Sequence, residues 1–154
     1  MSTGVGCCRS VRLVTHATDI GPSAVIEGKS WRMTAAPAVH VEPWLDSLVY
    51  RLETEEGSVV VTGDTAPCES VTELSRDADL MISLCTFVQD DIDGTAEAQY
   101  MCGTRDVAKM AQATGAKRLL LTHQHPKLDS PGQTERRCGT SSGNTRGRSS
   151  GAKR

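Results

Sequence analysis

Apolar side chains along the chain fall into short blocks separated by glycine, proline and charge. WRMTAAPAVH (residues 31–40) is mostly small and β-compatible, with Pro37 weakening it as a central strand. LVYRL (48–52) and SVVVT (58–62) flank TEEG, which has the length and glycine content of a hairpin loop. ESVTELS (69–75) carries a short helical pattern, and DLMISL (79–84) is near-continuously apolar, as a buried strand is. From Gly103, GTRDVAKMAQATG places Val107, Met110 and Ala111 at helical spacing and ends on Gly115, a good C-cap. RLLLT (118–122) predicts one more strand.

Strand, helix, strand, helix, strand with continuous apolar strands argues for parallel pairing in a layered α/β unit. The preceding hairpin adds antiparallel strands and makes the sheet mixed. SVVVT runs straight into Gly63-Asp64-Thr65, and RLLLT runs straight into His123. If those strands share a sheet and a direction, Asp64 and His123 emerge from the same carboxyl edge, where open α/β sheets place their ligands.

Composition divides the 154 residues into three zones. Residues 1–28 show little periodic pattern, 29–131 read as one folded unit, and 132–154 (GQTERRCGTSSGNTRGRSSGAKR) are rich in Gly, Ser and Arg. That last stretch cannot bury enough surface to offset its chain entropy and is expected to be disordered. Aromatics are only 3% of the chain, which leaves a thin core. No apolar run approaches the ~20 residues that span a bilayer, and MSTGVGCCRSVR lacks the basic-then-apolar order of a signal peptide. The expected compartment is the cytoplasm, with no membrane partner. Cys7, Cys8, Cys68, Cys85, Cys102 and Cys138 form no CxxC pair, so reduced thiols are expected rather than a structural zinc site or a disulfide framework.

Several side chains could carry chemistry, and each has a plainer reading. Asp64 could present a carboxylate to a metal or substrate, with Gly63 giving the backbone room to turn; it could equally close an Asx-turn, common chemistry for Gly-Asp at a strand end. His123 and His125, in THQHP, could both ligate a metal if the extended conformation continued past Thr122. Otherwise one is a satisfied histidine and the other a solvated one. His40 closes the first strand, where a lone histidine is more often structural. QDDIDG lacks the EF-hand positions for Gly and Glu and reads as a solvated loop. There is no GxSxG, P-loop, GxGxxG or basic stripe with interleaved aromatics.

Taken together, AVHVEPWLDSLVYRLETEEGSVVVTGDTAPCESVTELSRDADLMI and AKMAQATGAKRLLLTHQHPKLDSPG resemble the C-terminal half of a metallo-β-lactamase-fold hydrolase. The likeness is to the branch that contains ribonuclease Z and arylsulfatase-like enzymes. It spans roughly residues 40–136 and rests on the ordered set H…YR…GDT…ADL…LTH. The resemblance implies half of an αββα sandwich with a mixed sheet. It makes Asp64 the carboxylate bridging two zinc ions, His123 a terminal ligand of one of them, and His40 a residue of the substrate-side pocket. His125 receives no role from it.

The departures are as informative. The family motif HxHxDH is absent from these residues, and so is the ligand histidine between it and the His40 region. A further family histidine falls at about Tyr100 or Met101. Two ligands do not hold a catalytic zinc pair, where three protein ligands per metal are usual. The expectation is therefore a truncated or split hydrolase, its parent acting on phosphodiester or other esters, RNA or small, and inactive as this chain alone. Its inner sheet face would be covered by an N-terminal half or a homodimer mate. A pseudo-hydrolase fragment that binds a partner is the alternative, and an unrelated flavodoxin-like domain is a third. The family continues after PGxxER as a helix and strand. If Ser141, Ser142, Ser149 and Ser150 are encoded by TCN codons, a shifted reading makes each of them apolar, so the tail is expected to be either a frameshifted terminus or a genuine basic tail.

Overall fold

The structure is a computed structural model and describes residues 17–124. His125, the Gly/Ser/Arg tail, most of the N-terminal zone, Cys7, Cys8 and Cys138 lie outside the described residues.

A six-stranded mixed sheet forms in chain order, β1-β2-β3-β4-β5-β6. β1 (Val25–Glu27), β2 (Trp31–Ala38), β3 (Ser47–Thr54) and β4 (Gly57–Val61) pair antiparallel. β5 (Leu80–Leu84) and β6 (Leu119–Thr122) then add parallel to β4, each reached through a helical crossover. The helices are α1 (Glu69–Leu74), α2 (Gln89–Ile92) and α3 (Thr104–Thr114), with a 3-10 turn at Ala96–Gln99.

Pro37 sits inside β2 without breaking it. The Ala35 N–H points away from β3 and donates to Ala24 O at 2.9 Å. Pro37, two residues on, faces that same side just past the end of β1, so its missing N–H disrupts no ladder. Two stretches depart from the sequence expectation. Val25–Glu27 is a strand within the zone expected to lack pattern. QDDIDG is not a solvated loop: Gln89–Ile92 is a helical turn with Ile92 buried, and Asp90 and Asp93 each meet Arg105 at 2.8 Å.

The register gives the sheet two distinct faces. Thr34, Arg51, Val60, Met81 and Leu119 lie in one row, and Ala36 and Val49 are on the same side. α1 and α3 cover this side, and Val49, Val60, Val71, Met81 and Val107 are fully buried in its core. Arg51 reaches from β3 and donates from Nη1 to Leu74 O (2.9 Å) and Arg76 O (2.7 Å). Those bonds satisfy carbonyls at the end of a helix that has no basic residue of its own in the last turn. The opposite row, Ala35, Tyr50, Val61, Ile82 and Leu120, has no helix over it among the described residues. There Leu52 and Val61 are 40% exposed and Leu120 51%.

α3 starts on a purpose-built cap. The Gln89 Oε1 accepts from Arg105 N (2.9 Å) and Asp106 N (3.1 Å), while Asp106 Oδ2 accepts from Gly103 N (3.2 Å). Gly103 is required by this approach, since a Cβ there would lie 2.5 Å from Gln89 Oε1. Among the described residues Cys68, Cys85 and Cys102 form no disulfide, and burial pushes the Cys102 thiol far above its ordinary range.

Candidate functional site

Because β4, β5 and β6 are parallel, the segments leaving β4 and β6 lie at the same carboxyl edge of the sheet. Asp64 leaves β4 and His123 leaves β6, on the two sides of β5. His40 arrives from the far end of β2, and an isolated antiparallel bridge, Val39 to Ala66, brings it beside the Asp64 turn. Thr65 pins this junction: its Oγ1 accepts from Val39 N at 3.1 Å and donates to Ala66 O at 2.7 Å. The geometry thus gathers all three sequence candidates along one edge.

Asp64 is held half-buried behind Gly63, whose φ of +63° turns the chain sharply after the strand. The Oδ1 atom of Asp64 is buried and has no hydrogen-bond partner among the described residues. An Asx-turn would have given the carboxylate a backbone donor, and α1 begins later, capped at Cys68. A buried carboxylate oxygen without a donor is costly unless a cation or another donor satisfies it.

His123 has φ +56°, so the chain leaves the extended conformation there. The condition under which His123 and His125 would share one side therefore fails at its first residue. The His123 carbonyl accepts from Thr86 Oγ1 at 3.2 Å, which fastens the end of β6 to the end of β5 and leaves the His123 imidazole exposed.

His40 is oriented by a residue far along the chain. Its Nδ1 lies 3.0 Å from the Tyr100 carbonyl oxygen, which can only accept, so Nδ1 carries the hydrogen. Neutral His40 consequently keeps Nε2 as an acceptor. The Tyr100 carbonyl had no signal in the sequence, because a backbone acceptor has no residue type. Trp44 belongs to no motif in the sequence; it stands 87% exposed on the loop between β2 and β3, at this same edge.

The donor chemistry of a carboxylate and an imidazole, together with the orphaned Oδ1, suits a divalent cation. The described residues do not complete such a site: none of their His, Cys, Asp and Glu side chains form a group of three able to hold a metal ion.

Comparison with known proteins agrees with the fold. Residues 6–124 match the family model described as the beta-lactamase superfamily domain. The ribonuclease Z of Mycobacterium bovis is 32% identical over 127 residues, 78% of this chain and 43% of its own length. The ribonuclease Z of Methanosarcina mazei is 44% identical over 66 residues, 43% of this chain and 21% of its own. The metallo-β-lactamase fold protein YhfI from Bacillus subtilis superimposes with a TM-score of 0.64 at 26% identity, over 79% of this chain and 47% of YhfI. Human tRNase Z, short form, shares the fold at a TM-score of 0.55 and 21% identity, over 68% of this chain and 40% of its own. The chain thus spans less than half the length of these relatives. The matched domain and the mixed sheet together place this chain in the metallo-β-lactamase superfamily, among the relatives of ribonuclease Z.

Proposed function

We propose that this chain supplies one side of a dinuclear zinc site for hydrolysis of RNA phosphodiester bonds, and that it is inactive until the remaining ligands are brought to it. The buried, unpartnered Oδ1 of Asp64 at the carboxyl edge carries this reading. Asp64 and His123 would contribute a carboxylate and an imidazole to hold the ions, and the remaining ligands would come from elsewhere. Zinc bound there would supply Lewis-acid polarisation of the phosphoryl group and a hydroxide near neutral pH. His40, with Nδ1 committed to Tyr100 O, faces substrate with Nε2 as a hydrogen-bond acceptor or proton carrier. The ribonuclease Z names of the relatives support RNA as the substrate class.

The missing ligands belong to a segment bearing HxHxDH, a motif these 154 residues lack. The apolar sheet face of Tyr50, Val61, Ile82 and Leu120 suits a complementary half as its cover. The test is to mix the chain with a separately produced N-terminal half of a ribonuclease Z and zinc, then follow cleavage of an RNA substrate. Activity from the mixture, from neither half alone and not from Asp64→Ala, is the expected result. Activity that Asp64→Ala leaves unchanged would sink the ligand assignment.

A second reading is favoured by the same exposed sheet face: a non-catalytic module that binds a partner, or a second copy of itself, through those strands. A stable complex with the complementary half that binds no zinc and cleaves nothing would select it.

A further inference from the structure

The core among the described residues contains no aromatic side chain. The chain has only two Trp, two Tyr and one Phe, so where those rings sit is informative. Trp44 and Tyr100 both lie exposed at the carboxyl edge, Trp44 at 87% and Tyr100 at 36%. Tyr100 is fixed there by its carbonyl contact to His40 Nδ1 at 3.0 Å, and the loop of Trp44 begins directly after His40. The loop is also ordered by its own hydrogen bonds. Glu42 N donates to His40 O at 3.0 Å, and Trp44 N donates to Val41 O at 2.9 Å. Val41 and Leu45 are exposed on the same loop, at 36% and 54%. Three exposed apolar side chains on one short, turned loop next to a catalytic candidate make a contact surface rather than a scattered residue.

The charge of the loop narrows its occupant. Glu42 and Asp46 flank Trp44, and both are exposed. Two carboxylates repel a phosphate backbone, so this loop is not a phosphate contact. An indole between acids offers its face to a flat, uncharged ring, and a nucleobase presents one at every position of a single strand.

We propose that Trp44 is a stacking platform for an unpaired base that flanks the scissile phosphodiester of single-stranded RNA. This rests on the phosphodiester reading above and adds to it the part of the substrate that is held. Trp44 holds the base at the rim while the His40–Asp64–His123 edge faces the phosphate.

The test is fluorescence anisotropy of a labelled hexaadenylate and of its abasic counterpart, each titrated with the full chain, Trp44→Ala and Trp44→Phe. Trp44 is too exposed for these substitutions to disturb the core. Loss of the indole is expected to weaken hexaadenylate binding about 5-fold or more, with Phe retaining most of the affinity. The abasic strand, which reports phosphate contacts alone, is expected to bind the native chain and Trp44→Ala equally. In Trp31→Phe, where Trp44 is the only indole, hexaadenylate is expected to quench fluorescence. Equal hexaadenylate affinity of native chain and Trp44→Ala overturns the platform and leaves the phosphodiester reading standing. No binding of either strand by the native chain overturns the platform, and the phosphodiester reading is then decided by the mixing experiment. A native dimer that becomes monomeric in Trp44→Ala assigns the loop to self-association and overturns the platform.

Discussion

Asp79 and Ser58 hold each other by reciprocal hydrogen bonds. Asp79 Oδ2 accepts from Ser58 N at 2.8 Å and from Ser58 Oγ at 3.1 Å, and Ser58 Oγ accepts from Asp79 N at 3.1 Å. Lys117 Nζ, just ahead of β6, donates to the other carboxylate oxygen at 2.7 Å. One side chain therefore ties the starts of all the parallel strands together, at the end of the sheet opposite the candidate site.

This arrangement makes a pH prediction. The Lys117 ammonium, followed by the Ser58 backbone N–H and hydroxyl, holds the Asp79 carboxyl down at about 2. A carboxyl depressed in the folded state stabilises the fold above its unfolded value and loses that contribution as pH falls toward its folded value. The chain is expected to lose this part of its stability between roughly pH 4 and pH 2. Urea midpoints measured across that window will be steeper in pH for the native chain than for Asp79→Asn, which has nothing to protonate there.

Gly57 runs beside that carboxylate at φ +146°, and an added Cβ would sit 2.8 Å from Asp79 Oδ2. Gly57→Ala meets both a backbone conformation closed to L residues and a contact that must give way. A loss of about 1 kcal/mol or more is expected from chemical denaturation. An unchanged midpoint would mean that the hairpin re-forms with a different turn.

Gln89 is 5% exposed and binds both ways, accepting from α3 and donating from Nε2 to Asp93 at 2.6 Å and Asp106 at 2.9 Å. Gln89→Leu keeps volume but strands the first N–H groups of α3. A cost of about 1–3 kcal/mol is expected, with amide hydrogen exchange fastest at Arg105 and Asp106. Uniform exchange along α3 would show that the cap is not what starts the helix.

Asp64 carries the opposite expectation. Its Oδ1 is buried without a partner among the described residues, so the carboxylate weakens the metal-free fold in which it sits. Asp64→Asn is expected to unfold at the same or a higher temperature than the native chain without metal, and to lose any stabilisation that added zinc confers. A clear fall in the metal-free midpoint would show that Asp64 is a structural turn residue.

Much of this was legible in the residues, for physical reasons that differ by element. β4, β5 and β6 are near-continuous apolar runs because a parallel strand covered on one face and apolar on the other leaves little room for polar side chains. Asp64 and His123 were visible because each directly follows such a run. Other features have no local signature. β1 is a three-residue edge strand, too short to establish a period. α2 is anchored by a buried glutamine, whose cap on α3 spans 16 residues and leaves no trace in hydropathy. The orientation of His40 depends on a carbonyl 60 residues away, and only the folded sheet brings the two together.

The strand order itself governs how this sheet is assembled. Each strand of the described sheet pairs with its neighbours in sequence, and no pairing skips over a later strand. Growth from the amino-terminal hairpins therefore never waits for a distant segment, and loop-closure entropy is met in small steps. During synthesis the sheet can accrete strand by strand as the chain emerges. The ends of β4 and β6, where Asp64 and His123 sit, come to the same edge only when β6 docks, so the candidate centre is the last part of the described sheet to take shape.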